Sequence, residues 1–249
     1  MADKELDGRV AIVTGAGRNI GRAIALALAA GGAAVVVNVR SNRAEAESVV
    51  REIEAAGGRA MTAVADVVDR PDVEKMVEAA VKRFGRIDIL VNNAALRGEK
   101  PIEDMTLEEW RRVVGVVLDG AFICVKACLP HLKKSGQGVI LNIGGLSAHT
   151  GAAHRPHVVT GKAGLVGFTR ALAHELAGQV RVNTVTPGVM ATPRPAGAPV
   201  PQHHSFATPL VGRRGEPDDI AATVRFLAGP GAAFITGQNI QVNGGAFLG

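Results

Sequence analysis

The residues Thr14-Gly15-Ala16-Gly17-Arg18-Asn19-Ile20-Gly21 follow directly on the apolar run RVAIVT and open a helical pattern. Glycines at such a turn let the chain reverse tightly and bring backbone N–H groups against a pyrophosphate, which the helix N-terminus also attracts. Glycine at a strand-to-helix turn can be simple punctuation, but its place after the first strand of a βαβ unit points to a dinucleotide. The second apolar run ends Asn38-Val39-Arg40-Ser41-Asn42-Arg43, with no acid to take ribose hydroxyls. Arg40 and Arg18 can instead pair with a 2′-phosphate, which favours NADP over NAD; the alternative is two solvated surface arginines.

Proton chemistry has fewer candidates. The chain contains no tyrosine and seven histidines, three of them (His149, His154, His157) within nine residues and a further pair at His203-His204. Histidine titrates nearest to neutrality, so His154 and His157 are candidate acids, although isolated histidines are more often packing or surface residues. Cys124 and Cys128 sit one helical turn apart, and no nearby histidine pair completes a metal site. They read as two buried thiols packing as small hydrophobes, and no metal is expected.

These residues need elements to position them. Strand-like and helix-like runs alternate along the 249 residues, with RVAIVT, AAVVVNV, RAMTAVAD, IDILVNN, GVILNIG, VRVNTVTPG and NIQVNGG as strands. Long helical stretches are expected near Leu107 to Lys134 and Pro156 to Ala177. Continuously apolar strands in seven βα repeats predict a doubly wound, seven-stranded parallel sheet of the Rossmann type in one α/β domain. With 47% hydrophobic and 20% charged residues the chain can bury one large core, though length alone leaves two smaller domains open. No apolar run approaches the eighteen or so residues of a membrane span, and the first ten residues lack an apolar signal region, so a cytoplasmic protein is expected. The net charge of +5 is dispersed rather than gathered into a stripe, which argues against nucleic acid and suits small anionic molecules. The stretch from Thr192 to about residue 210 carries five prolines and no apolar period, and is expected to be a substrate lid.

Over essentially its whole length the chain resembles the short-chain dehydrogenase/reductases, in particular 3-oxoacyl-[acyl-carrier-protein]-reductase-like members. The resemblance rests on TGAGRNIG (Thr14 to Gly21), Asp66-Val67, LVNNAA (Leu90 to Ala95), GKAGLVGFTRALA (Gly161 to Ala173), VNTVTPGVMAT (Val182 to Thr192) and GRRGEPDDIA to VNGG. It implies that Gly15, Arg18, Asn19, Ile20 and Gly21 cradle the pyrophosphate, with Arg40 and Ser41 at the 2′ position. Asp66 and Val67 would hold the adenine, Asn93 and Ala94 the adenosine ribose region, and Lys162 the nicotinamide ribose. Pro187, Gly188, Val189 and Thr192 would line the carboxamide. Asn19 stands where the family has its middle glycine, a position asparagine tolerates because it enters the left-handed region more readily than most residues. The resemblance also implies a homotetramer built through the two long helices, where Gly161, Ala163, Gly164 and Gly167 would allow close approach.

The same alignment puts Val117, Gly145 and Val158 where the family usually carries asparagine, serine and tyrosine, leaving Lys162 of the working set. Three readings are open. The proton donor has moved, to His154, His157 or Lys162 itself; or the substrate is an iminium, whose reduction needs no acid, with Arg155 orienting a substrate carboxylate; or the chain binds NADP(H) as a scaffold or redox sensor without turnover.

Overall fold

The computed structural model describes residues 4–192 and 209–249. Seven strands, β1 (Val10–Val13), β2 (Ala34–Val39), β3 (Arg59–Val64), β4 (Ile89–Asn92), β5 (Gly138–Ile143), β6 (Val180–Pro187) and β7 (Asn239–Val242), form one sheet. Their order is β3-β2-β1-β4-β5-β6-β7, and every pairing is parallel. The expected single-domain, seven-stranded parallel sheet is therefore the fold. Its strand order reverses between β1 and β4, so the ligand crevice of such a sheet lies at the carboxyl ends of those two strands.

The strands are apolar throughout because both faces are covered. Alternate residues divide between two cores: Ala11, Val13, Val35, Val37, Ile89 and Val91 pack under α1 (Asn19–Ala30), α2 (Arg43–Ala55) and α8 (Pro217–Ala228). Ile12, Val36, Leu90, Ile140 and Val182 pack under α3 (Arg70–Phe84), α5 (Asp119–Lys134) and α7 (Pro156–Glu175). This is the period of two expected of strands, read on both sides at once. A single helical turn, α6 (Ser147–Thr150), lies between β5 and α7. Helix starts follow local chemistry: Asn42 and Asp69 accept from the backbone N–H three residues on, and Thr106 forms a capping box with Glu109 at α4 (Leu107–Val117).

Two expectations about the stretch 107–134 change. It is two helices, α4 and α5, that meet at Leu118, rather than one. It is also, among the described residues, the one helical stretch long and apolar enough by length and composition to cross a membrane, its best window having a mean hydropathy of 1.9. Counting unbroken apolar runs missed this, because polar and small residues punctuate the window. In the fold its Gly120, Ala121, Cys124, Val125, Cys128 and Leu132 are buried in the domain. Cys124 and Cys128 are free thiols, and burial pushes Cys124 up to about 12.

Two of the three glycines of α7 pack within the same chain, and Gly167 has open space where a Cβ would stand. A Cβ on Gly161 would stand 3.2 Å from Val117, and one on Gly164 2.9 Å from Leu118, so they let α7 lie close against the α4–α5 junction. A polar ladder runs through the core beside this contact. Asn92 Nδ2 donates to Asn142 Oδ1 at 2.9 Å, Asn142 Nδ2 to Thr169 Oγ1 at 2.8 Å, and Thr169 shares a 2.7 Å bond with Thr184.

Candidate active site

The nucleotide half is built on the turn after β1. Gly15 has φ of +61° and Asn19 has φ of +50°, so asparagine does adopt the left-handed geometry expected of it. At Gly21 a Cβ would meet Gly15 O at 2.3 Å, Asn93 Nδ2 at 2.6 Å and Ala16 Cα at 2.9 Å, which makes glycine obligatory where α1 crosses β4. Thr14 Oγ1 accepts from the backbone N–H of Asn93 at 2.9 Å and of Ala94 at 3.0 Å. Asn93 Nδ2 in turn donates to the carbonyls of Thr14 at 2.8 Å and Gly15 at 3.0 Å. The Asn93 amide, expected beside a ribose, thus braces the glycine turn from behind. Gly15 N also donates to Asn38 Oδ1 at 3.3 Å.

Around this turn Ile20 and Gly21 are buried, while Arg18, Arg40 and Ser41 are exposed. The sequence reading missed Glu45, whose carboxylate comes within 3.1 Å of where a Gly17 Cβ would stand. Its signal was its place in the first turn of the helix that follows Arg40. Asp66 is half-buried, its Oδ1 accepting from Val68 N at 3.2 Å, and Val67 packs over Gly120. The turn holds Gly15 and Asn19 in left-handed geometry and is closed to a Cβ at Gly21, so these residues fit a dinucleotide.

The reactive half gathers at the ends of β4, β5 and β6. Pro187 closes β6, its carbonyl accepting from Leu146 N at 3.0 Å, and Gly188 N donates to Val242 O at 3.0 Å. Val189 is buried and Thr192 is half-buried. Lys162 is only 8% exposed; its Nζ donates to Ile143 O at 2.5 Å. A Cβ on Gly145 would meet only the Lys162 stem, Cγ at 3.7 Å. Val158, 5% exposed, lies one turn before Lys162 on the same helix face. Val117 lines a void of about 10 Å³, the room of one water, together with Asn92 and Leu165.

Burial, and after it the charge of Arg97, lowers the Lys162 ammonium to about 7. Between that value and the ordinary 10.5 the unfolded chain holds a proton that the folded chain has released, so this group's contribution to stability rises with pH across that window. Urea unfolding near the two ends of the window should therefore show wild type gaining stability with pH relative to Lys162→Met; parallel curves would refute the shift.

The other candidates separate. His154 is exposed, with φ of +59°, and its carbonyl accepts from Lys100 N at 2.6 Å, tying the loop before α7 to the loop after β4. His157 is buried, its Nδ1 without a hydrogen-bond partner among the described residues, and its Nε2 lies 3.6 Å from where a Gly98 Cβ would be. Burial and the neighbouring Arg155 hold its pKa down, so it is neutral near pH 7. Arg155 is also buried, which lowers its pKa, with Glu99 acting in the opposite sense. Arg97, exposed on the loop after β4 and felt by both Lys162 and Arg155, was missed in sequence because it follows LVNNAAL without any motif of its own. His203, His204 and most of the expected lid fall at 193–208, outside the described residues. No cluster of metal-ligating side chains occurs among the described residues.

Residues 15–246 match a family profile described as enoyl-(acyl carrier protein) reductase. The chain belongs to the short-chain dehydrogenase/reductase family. It is 41% identical over 245 residues to a 3-oxoacyl-[acyl-carrier-protein] reductase of Synechocystis sp., covering 98% of each chain. Among solved structures, a short-chain dehydrogenase/reductase from Brucella melitensis, described as a glucose/ribitol dehydrogenase, superposes with a TM-score of 0.90 at 36% identity, covering 99% of this chain and all of that one. A dehydrogenase/reductase from Sinorhizobium meliloti gives 0.92 at 35% identity, with 99% and 98% covered. Members of this oxidoreductase family use a nicotinamide cofactor, and a small-molecule substrate is consistent with the family.

Proposed function

We propose that the chain is an NADP(H)-dependent oxidoreductase that reduces a small carbonyl or imine without the tyrosine and serine hydroxyls of its relatives. The observation that carries this reading is Lys162. Burying an ammonium costs several kcal/mol unless charge or hydrogen bonds compensate, and here, among the described residues, a single backbone carbonyl is its hydrogen-bond partner. An amine kept at that cost at the end of β5, beside the open space at Gly145, supports proton chemistry there in addition to holding a ribose. When bound, the reduced nicotinamide supplies hydride. Gly15, Asn19, Ile20 and Gly21 hold the pyrophosphate against the start of α1, Lys162 holds the nicotinamide ribose, and Pro187, Gly188, Val189 and Thr192 orient the carboxamide. Asp66 and Val67 take the adenine and Ala94 its ribose. The relative named for 3-oxoacyl-[acyl-carrier-protein] makes β-keto thioesters and β-keto esters the first substrates to assay, beside cyclic iminium ions.

Arg18 and Arg40, with Ser41, favour the 2′-phosphate of NADP. Arg18→Ala/Arg40→Ala is expected to weaken NADPH binding about 10- to 100-fold while leaving NADH within about threefold, measured by fluorescence titration. Equal losses for the two cofactors would reject NADP preference. Assembly as a homotetramer accords with Leu107 and Phe122, large apolar residues left exposed on α4 and α5, and sedimentation of the purified protein tests it.

A second reading, a non-catalytic NADP(H)-binding scaffold or redox sensor, is favoured by the joint absence of polar side chains at Val117, Gly145 and Val158. It requires NADPH binding with no turnover on any ketone or iminium in the panel.

A further inference from the structure

Carbonyl reduction by this chain, the reading on which the inference rests, leaves one step without a donor. Hydride reaching a carbonyl carbon drives the π pair onto oxygen, and the alkoxide needs a proton. Arg155 does not release a proton in water. Cys124 and Cys128 are sealed in the core. His154 is exposed on a loop, and His157 lies beside Gly98 in the field of Arg155 and Glu109. Among the described residues Lys162 remains, and its placement is specific: Nζ is pinned to the end of β5 by Ile143 O at 2.5 Å, and its stem borders Gly145 with no side chain in between.

We propose that Lys162 Nζ gives its proton to the substrate oxygen, and so does directly what a tyrosine hydroxyl does in relatives that have one. The step balances. The carbonyl carbon gains a hydride, with its two electrons, from a reduced nicotinamide, and the C=O π pair moves to oxygen. One Nζ–H bond breaks with its electron pair staying on nitrogen, and an O–H bond forms. The products are an alcohol, the oxidised nicotinamide and a neutral amine, which water reprotonates. The lack of hydroxyl-bearing side chains at 145 and 158 is what makes the transfer direct, since a tyrosine at 158 would stand between the amine and the oxygen.

Two properties of the site suit the role. Burial and Arg97 bring Lys162 to about 7, where protonated and free amine coexist at neutral pH, the best condition for a general acid. Ile143 at the end of β5, Gly145 just beyond it and Val158 one turn earlier on its own helix are uncharged, and the charged side chain acting on it is Arg97 from the loop after β4.

Lys162→Arg tests the assignment, because guanidinium keeps a cation at the ribose but does not give up its proton. With NADPH and a β-keto ester, wild-type kcat/KM should fall as pH rises through about 7, as the acid form is lost. The variant should be at least about 100-fold slower on the ketone and lose that inflection. Its loss on the ketone should exceed its loss on a matched cyclic iminium, which needs no proton, by at least about 30-fold, with NADPH binding measured by fluorescence separating out whatever is lost at the ribose. Independently of turnover, ¹⁵N-lysine NMR of the cofactor-free wild type should show one Nζ titrating near 7 that the variant lacks. A variant that matches wild type on the ketone, an equal loss on ketone and iminium, or no lysine titrating below its usual range overturns the proposal. If wild type binds NADPH and reduces neither substrate, the oxidoreductase reading fails and the proposal falls with it. If wild type reduces both and the variant keeps pace, only the role of Lys162 fails.

Discussion

Gly145→Ser/Val158→Tyr is expected to reduce a β-keto ester with NADPH roughly 10²- to 10⁴-fold faster than Lys162→Arg, which has no proton donor, equivalent to about 3–5 kcal/mol of barrier. The serine has room, since a Cβ at 145 touches only Lys162 Cγ at 3.7 Å. The tyrosine would occupy the turn before Lys162 on the face that already borders the site, and the ammonium would acidify its hydroxyl. Replacing a buried valine by tyrosine overpacks by about 1–3 kcal/mol unless the ring extends into the crevice, so the melting temperature should be read alongside the rate. The check is kcat/KM of the two single variants, the double variant and Lys162→Arg at one pH. No gain over Lys162→Arg in a folded, NADPH-binding double variant would mean that the cleft does not present a carbonyl to the nicotinamide face at all.

Gly21→Ala should do the opposite. Its Cβ has no position that avoids Gly15 O, 2.3 Å away, and the Asn93 amide, 2.6 Å away. Either α1 moves off the sheet or the turn opens, and in both cases the N–H groups no longer converge on a pyrophosphate. NADPH affinity should drop at least about 100-fold, and overpacking of about 1–3 kcal/mol should lower the melting temperature by roughly 2–10 °C in a chain of this size. Gly167→Ala is the control: a Cβ there meets nothing within 4 Å, so alanine should leave binding intact and favour the helix. Fluorescence titration and thermal melts of the two variants decide it. A Gly21→Ala protein that binds NADPH like wild type would remove the turn from the cofactor site.

The sheet was legible because a strand covered on both faces shows its burial as an unbroken apolar run, and seven such runs alternate with amphipathic ones. The glycine turn was legible for a related reason, since the positions that bar a Cβ or need a left-handed backbone are the ones written as glycine or, at 19, as asparagine. What escaped depends on contacts between distant segments. Nothing in LVNNAAL announces that Asn93 turns its amide back on Thr14 and Gly15 instead of outward to a ligand. Arg97 acts on Lys162 only because two loops converge at the ends of β4 and β5. The α7 glycines looked free for a partner helix or for the sheet, whereas Gly161 and Gly164 accommodate Val117 and Leu118 of their own chain. The break at Leu118 leaves no proline as a mark, because the residue keeps right-handed helical angles.

The ladder from Asn92 through Asn142 and Thr169 to Thr184 has a consequence for how the chain reaches this fold. Apolar side chains alone would let β4, β5 and β6 pair in several registers, since sliding a valine-rich parallel strand by two residues keeps its faces in place. Sliding any one of these strands by two would break the chain of amides and hydroxyls and strand each of them in a dry interior, at about 1–3 kcal/mol per group. Mispaired sheets are thus penalised as α7, which carries Thr169, closes over them, and a domain whose long-range parallel pairings form slowly carries its own proofreading in four side chains.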